Sequence, residues 1–442
     1  MYKTGLYWIQ HDLRIHDNAA LLEASLNCEQ LICLYCFDPA WFRQSRLNAR
    51  PMGVLRRQFL NKTLHDLGKE LKNRGQRLIV MTADPVSAIS VLIKNHHIDA
   101  VYRSHHVGVF ETRQWHHLKV DFPRTLFHSV STHTLFRPEQ LPFAISDLPA
   151  TFTDFKDCCE AIAVDKPLAM PQWLAPPVEA LTGLTHQTET EVAELHYCYG
   201  GEKMALDHLE QYFSSDLPAQ YKTVRNELDG WENSTKMSAW LACGALSPRK
   251  LMARLKRYES EHTANESTYW IYYELLWREY FQWYAQRYQH KLFKAEGINR
   301  QKISCCFYPE RYQKWCNGNT PYPLVNACMK QLNETGYLSN RGRQIVASCF
   351  VNELQLDWRF GAAYFEQQLI DYDVASNWGN WQYIAGVGAD PRGGRHFDLD
   401  KQTEIYDADR RFIRRWKGEA SQYPLDSLDA ADWPIMPPDK NS

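Results

Sequence analysis

LICLYCF, residues 31–37, is apolar from end to end and rich in strand-favouring residues, so it reads as a β-strand. Alternation within it sends Cys33 and Cys36 to opposite faces. Similar runs lie around it: GLYWI (5–9) before, and RLIVM (77–81), DAVYRS (99–104) and TLFHSV (125–130) after. Helix-like segments separate them, among them Met52 to Asn73 and Pro85 to His97. Strand alternating with helix predicts a Rossmann-like α/β unit over residues 1–133, a five-stranded parallel sheet with helices on both faces. No G-x-G-x-x-G follows the first strand, so the dinucleotide fingerprint is absent.

Beyond this unit the composition changes. KPLAMPQWLAPPVEALTGLTHQTETE is rich in Pro, Thr and acids and marks a long connector, set at 134–200. From 201 to 420 nearly every segment has helical periodicity, and the Pro- and Asp-rich tail at 421–442 reads as irregular. The chain shows no internal repeat.

Length and composition narrow the function. With 442 residues, 44% of them hydrophobic, there is material for two or three cores. Fifteen Trp, 24 Tyr and 19 Phe fit the stacking of flat ligands such as flavins or bases. A net charge of −2 provides no global attraction to nucleic acid, so such binding needs a local basic patch. The twelve cysteines show no zinc spacing, and Cys158/Cys159 and Cys305/Cys306 are adjacent pairs, so no metal site is expected. The histidine pairs at 96/97, 105/106 and 116/117 read as solvated loop and helix positions. Free thiols, no signal peptide before MYKTGLYWIQ and no membrane-length run predict a cytoplasmic protein.

The helical part carries the candidate chemistry. ENSTKMSAWLACGALSPRK clusters Ser234, Thr235 and Ser238 and then places Ser247-Pro248 at a helix start. Hydroxyls and backbone N–H groups there could hold a diphosphate, or could simply cap. In NESTYWIYYELLWREYFQWY, Trp270, Glu274, Trp277 and Arg278 fall at i, i+4, i+7 and i+8 and share one face. A Glu between indoles is desolvated towards its protonated, donating form. The plainer alternative is an exposed Glu274–Arg278 pair. LIDYDVASNWGNWQY (369–383) gathers acids, amides and large rings as the lining of a site would.

These motifs, with YWIQHDLRIHDNAAL near the N-terminus, LSPR in the middle and SNRGRQ and GVGADPRGGRHFDLDKQ towards the end, closely resemble the photolyase/cryptochrome flavoproteins, most of all the DASH-type cryptochromes. The resemblance runs from about residue 5 to 417. It implies the α/β domain, the connector and an all-α domain holding FAD in a U shape. By matched position, Tyr221, Ser234, Thr235, Lys236, Met237 and Ser238 face the FAD phosphates, and Arg278, Asn340, Arg343, Asp371, Asp373 and Asn377 surround the rest of the cofactor. Asn377 meets the reactive ring nitrogen, and Arg343 and Asp371 can pair beside the flavin. Glu274 holds the lesion and Trp277 stacks on it. Trp381 and Trp358 are the inner and middle members of a reducing tryptophan chain. Arg225, Arg341 and Arg395 contact DNA phosphates. Tyr383 stands where duplex enzymes usually have Trp, and Gln344 where they usually have Met, which makes the lesion pocket more polar.

The resemblance thus implies light-driven repair of cyclobutane pyrimidine dimers in single-stranded or looped DNA by a monomer, with a blue-light receptor acting through an unknown partner as the alternative. A third possibility is a nucleic-acid-binding regulator with a vestigial flavin site. Two positions depart from the pattern. The outermost chain tryptophan falls on Cys305, with Phe307 and Tyr308 nearby; Tyr308 ranks first as its substitute and Trp315 second. The acid that commonly grips a folate antenna, 5,10-methenyltetrahydrofolate, falls on His106, with Glu111 close by. The basic run DRRFIRRWK reads as a solvated helix face.

Overall fold

The computed structural model describes residues 1–181, 199–300, 306–390 and 392–426. Cys305 and the tail beyond Asp426 lie outside them. Five strands form one sheet: β1 (Tyr2–Ile9), β2 (Cys28–Phe37), β3 (Leu78–Thr82), β4 (Ala100–Ser104) and β5 (Leu126–Val130). Their order is β3-β2-β1-β4-β5 and every pair is parallel, with Tyr7 opposite Cys33 and Tyr102. Parallel neighbours require crossovers. These are supplied by α1 (Ala19–Asn27), α2 (Val54–Lys72), α3 (Pro85–His96) and α4 (Val109–Asp121).

Strand alternation divides the apolar residues into two cores. Leu6, Trp8, Ile32, Leu34 and Cys36 pack with Ile89 and Leu92 of α3 and Trp115 and Leu118 of α4. Tyr7, Ile9, Cys33 and Tyr35 face the other way, against α1, α2 and the helical part of the chain. Cys33 and Cys36 thus occupy opposite faces, as their spacing predicts. Each large side chain so buried contributes about 1.5–3 kcal/mol. The second face is continuous with the core of the helical domain, so the two parts share one interior.

A short helix, α5 (Phe152–Cys159), interrupts the connector. The helical domain runs through α6 (Glu202–Phe213), α7 (Leu217–Val224), α8 (Ser238–Cys243), α9 (Pro248–Glu261) and α10 (Glu266–Tyr288). It continues with α11 (Pro309–Asn317), α12 (Pro323–Thr335), α13 (Asn340–Asn352), α14 (Trp358–Gln368), α15 (Val374–Ile384), α16 (Leu399–Tyr406) and α17 (Arg411–Arg415). In α17, Phe412 and Ile413 are buried while Arg411, Arg414 and Arg415 are exposed.

The loop after β1 clamps the two parts together. Arg14, fully buried, donates to the carbonyls of His16 (3.0 Å), Asp17 (3.0 Å), Thr132 (2.6 Å) and Gly244 (2.8 Å). Asp17 receives Arg249 at 3.0 Å and the Ser247 hydroxyl. Glu202 accepts from the backbone N–H groups of Ile15 (2.7 Å) and His16 (2.8 Å). Gly244, at φ +75°, ends α8 so close to this loop that a Cβ would lie 2.0 Å from the His11 carbonyl oxygen.

Candidate functional site

A cavity of about 500 Å³ opens among α7, α8, α10, α13 and α15. It collects Tyr221, Arg225, Ser234, Thr235, Lys236, Met237, Ser238, Trp270, Glu274, Trp277, Arg278, Asn340, Arg343, Gln344, Asp371, Asp373, Asn377, Trp381 and Tyr383. Three sequence-predicted residues, Trp358, Arg341 and Arg395, are not part of its lining.

One end is polar and built by a turn. Residues 233–237 enter α8 with Lys236 in the left-handed region at φ +53°, a conformation that a non-glycine residue adopts at a cost. Lys236 is buried, donates to the Tyr337 hydroxyl at 3.0 Å and lies 4.7 Å from that ring's centre. Sequence reading passed over Tyr337, whose one signal is its place directly before LSNRGR. Across the cavity, Arg343 donates to Asp371 Oδ2 at 2.7 Å and to the Leu338 carbonyl at 2.8 Å. Asp371 Oδ1 is buried without a partner, an acceptor still to be satisfied. Asn377 donates one N–H of its amide to the Ala362 carbonyl at 3.0 Å, which leaves its Oδ1 acceptor and its second N–H available to a ligand. Asp373 caps α15 through Ser376 N (2.7 Å) and accepts Gln282 at 3.0 and 2.9 Å, so much of its capacity is spent on the fold.

The other end is aromatic. Trp277 stacks on Phe152 of α5 at 3.7 Å and meets Tyr383 edge-on at 5.9 Å. The connector thereby supports the site, a role its Pro-rich composition hid. Glu274 does not pair with Arg278, although they are four residues apart. It pairs with Arg225, whose guanidinium lies 4.4 Å above Trp270. Burial pushes the Glu274 carboxyl up, and Arg225 partly offsets this. Arg278 instead donates to the His133 carbonyl (2.7 Å) and bonds His133 Nε2 (2.5 Å). The competing backbone acceptor defeats the i,i+4 expectation. Arg395 donates to the Tyr383 hydroxyl at the rim and pairs with Asp390 at 3.1 Å. Arg341 covers Phe397 and Tyr406 at 5.6 and 5.0 Å.

Trp381 is buried against Gly361 of α14, where a Cβ would lie 2.3 Å from its ring. Its ring neighbours are Phe365 (5.2 Å), Phe350 (5.6 Å) and Trp315 (6.2 Å). Trp358 starts α14, one turn from Gly361, donates to the Ala295 carbonyl at 3.0 Å and meets Trp378 at 5.9 Å. Tyr308 lies under Arg311 at 4.1 Å, and Phe307 stacks on Phe360 at 4.2 Å.

The histidine reading needs correction at one pair. His97 and the pair at 116/117 are exposed, but His106 is buried, because the ends of β1 and β4 meet the helical domain there. His106 Nε2 bonds His11 Nδ1 at 2.7 Å, and its Nδ1 lies 3.6 Å from Glu111. Burial, then Arg103, pushes His106 down to about 3, so the ring is neutral. Among the described residues no His/Cys/Asp/Glu group could hold a metal. Their cysteines are free, and no helix is long and apolar enough to cross a membrane.

Residues 270–440 match the FAD binding domain of DNA photolyase, and residues 5–172 match the DNA photolyase family. The chain is 51% identical over 438 residues to a cryptochrome DASH of Idiomarina loihiensis, covering 98% of this chain and 97% of the relative. It is 48% identical over 440 residues to that of Vibrio parahaemolyticus, covering 99% of each. The crystal structure of a Synechocystis cryptochrome superposes with a TM-score of 0.88 at 35% identity, covering 98% of this chain and 93% of that one. A bacterial class III photolyase from Agrobacterium tumefaciens gives 0.80 at 26%, covering 94% and 86%. The cavity fits such a cofactor: buried Lys236 and the hydroxyls of 234–238 suit a diphosphate, and the orphaned Asp371 Oδ1 suits an N–H or hydroxyl donor.

Proposed function

The chain belongs to the photolyase/cryptochrome family, with FAD as its cofactor, and from that premise we propose that it repairs cyclobutane pyrimidine dimers under blue light in single-stranded or looped DNA. The observation that carries this reading is one cavity with two ends: the Lys236, Arg343–Asp371 and Asn377 end for FAD, and the Trp277, Glu274 and Tyr383 end for a lesion. Bound FAD would supply the light-excited electron.

The chain's own groups do the positioning. Tyr221, Ser234, Thr235, Lys236, Met237 and Ser238 hold the diphosphate end, with Asn340, Arg343, Asp371, Asp373 and Arg278 around the remainder. Asn377, anchored through one N–H to the Ala362 carbonyl, can offer Oδ1 to a protonated ring nitrogen. A dimer turned out of a strand stacks on Trp277, at low cost where pairing is already lost. Its carbonyl takes a hydrogen bond from Glu274 in the protonated form that burial favours. Since Arg225 holds Glu274 beforehand, the lesion has to release Arg225, which then turns to the strand's phosphates with Arg341 and Arg395. Tyr383 and Gln344 give a weaker stacking surface than Trp and Met would, which favours lesions that need no extraction from a duplex.

The test is blue-light repair of a thymine dimer in matched single-stranded and duplex oligonucleotides. Repair of the single strand alone is expected. Flavin photochemistry with repair of neither would favour the signalling alternative.

A further inference from the structure

Two segments far apart in the chain are strongly basic. Residues 39–57 hold five arginines and no acid, and residues 410–417 hold four arginines, one lysine and no acid, in a chain whose net charge is −2. In the first, Arg43, Arg46 and Arg50 are exposed, and none has a side-chain partner among the described residues. The loop between β2 and α2 that carries them closes on itself, since Met52 N donates to the Trp41 carbonyl at 2.9 Å and Ser45 N to the Ala49 carbonyl at 2.8 Å. In the second, Arg410, Arg414 and Lys417 are exposed, again with no side-chain partner among the described residues. Arg411 pairs with Asp409 and Arg415 with Asp229, both at 2.7 Å.

The fold joins the two segments. Arg50 N donates to the Gln367 side chain at 2.8 Å, and the neighbouring Gln368 donates to Asn333 at 2.9 Å. Asn333 lines a surface cavity of about 350 Å³ with Lys330, Glu334, Arg415, Trp416 and Lys417. Lys330 donates to the Lys417 carbonyl at 2.6 Å, which ties α12 to the end of α17 and leaves Lys330 two further N–H groups. Beyond this cavity, Arg415 reaches Asp229, four residues after Arg225 at the rim of the first cavity. A path of cations and neutral amides therefore leads from that rim across α17, α12 and the end of α14 to the arginine loop. Of the acids on it, Glu334 is exposed, and Asp229 and Asp409 are each held by an arginine.

We propose that this path is a track for the backbone of a single nucleic-acid strand, carrying it from the rim of the first cavity to the loop of Arg43, Arg46 and Arg50. The proposal rests on the lesion reading of that cavity and extends its footprint well past the flipped base. Charges laid out along a path match phosphates laid out along a strand, whereas a lone anion needs donors that converge on one point. Guanidinium groups meet phosphate through two parallel hydrogen bonds, and cations with no partner in the protein give up only counterions to do so. Trp416, half-buried in the wall of the small cavity, supplies an aromatic among the cations, the combination that single-strand binding uses.

The test is binding of FAD-loaded protein to thymine oligonucleotides with a central cyclobutane dimer, about 4 and about 16 nucleotides long, followed by fluorescence anisotropy over a salt series. Each single-strand phosphate neutralised contributes about −0.7 to the slope of log K against log salt, so on the long strand Arg43→Gln/Arg46→Gln/Arg50→Gln should flatten the slope by about 2 and Arg414→Gln/Lys417→Gln by about 1.4. The short strand, which ends before the track, should bind both variants as it binds the wild type. Arg113→Gln/Lys119→Gln/Arg124→Gln removes three exposed cations on and beside α4 and should leave both slopes unchanged. A wild-type slope in both track variants on the long strand overturns the proposal. An equal flattening in the α4 variant or on the short strand overturns it too, because attraction would then be diffuse. A wild type indifferent to the dimer in the short strand would sink the lesion reading instead, and the same salt series on an undamaged long strand would still decide the track.

Discussion

Glu274 has two possible partners and one carboxyl. Its burial raises the proton affinity, and in the repair we propose the protonated form is the one that donates to a lesion carbonyl. The donor form is populated below the carboxyl's pKa, so repair should fall as pH rises through that raised value. Glu274→Gln keeps a donor at every pH, so its repair yield should become flat with pH, while Glu274→Ala should lose about tenfold, on the order of one hydrogen bond to a polar partner. Repair quantum yield against pH checks both. Asp371→Ala removes the partner of Arg343 and the orphaned acceptor together, and FAD occupancy should fall at least tenfold, read as the ratio of flavin to protein absorbance. Tyr383→Trp with Gln344→Met should improve duplex repair by up to about tenfold, since stacking on an aromatic contributes about 1–3 kcal/mol per base. Equal repair of duplex and single strands by the wild type would remove the reason for that pair.

Among the helices, α11, α14 and α15 would together set the route out for a positive hole if, as we propose, Trp381 and Trp358 are the inner and middle members of a reducing chain. Trp381 on α15 rests on the backbone of α14 at Gly361, one turn from Trp358, so the inner and middle positions are joined through the start of a single helix. Trp381 also meets Trp315 of α11 at 6.2 Å, a contact that Tyr308 at the start of the same helix lacks among the described ring pairs. Trp381→Phe should abolish photoreduction by external thiols. Trp315→Phe should shorten the charge-separated state more than Tyr308→Phe does, and transient absorption distinguishes them. Linear sequence ranked those two the other way, because it reports that residues are near in the chain and not which rings touch. The same limit hid Phe152, Tyr337 and His133, each brought to the site by packing from a distant segment. What was legible was periodic or local: the five strands, the face shared by Trp270, Glu274 and Trp277, and the Arg343–Asp371 pair within matched motifs.

At the scale of the molecule, the loop after β1 fixes the helical domain against the sheet. Asp17→Ala leaves Arg249 buried and unpaired, and should cost about 3–5 kcal/mol, seen as a lower denaturant midpoint. Acid should loosen the same clamp. Burial raises Glu202, yet His16 and the backbone N–H groups of Ile15 and His16 outweigh it and hold the carboxyl below its usual value of 4.5. A depressed carboxylate contributes its stability in full above the unfolded pKa and loses it as pH falls through the folded one. Unfolding midpoints should therefore drop below about pH 4.5, and Glu202→Gln, weaker throughout, should drop less.

That clamp also has a history in time. Arg14 leaves the ribosome 230 residues ahead of Gly244, and His16 leaves 186 ahead of Glu202. At an elongation rate of about 5–20 residues per second, the sheet, whose last strand ends at Val130, is complete for roughly 4–14 seconds before Glu202 is made and roughly 6–23 seconds before Gly244, while the loop's charged groups wait, hydrated, for carbonyls and a carboxylate not yet made. The nascent α/β domain must therefore keep its domain-facing surface open during synthesis, and a truncated chain ending before Glu202 should be captured by chaperones more readily than the finished protein.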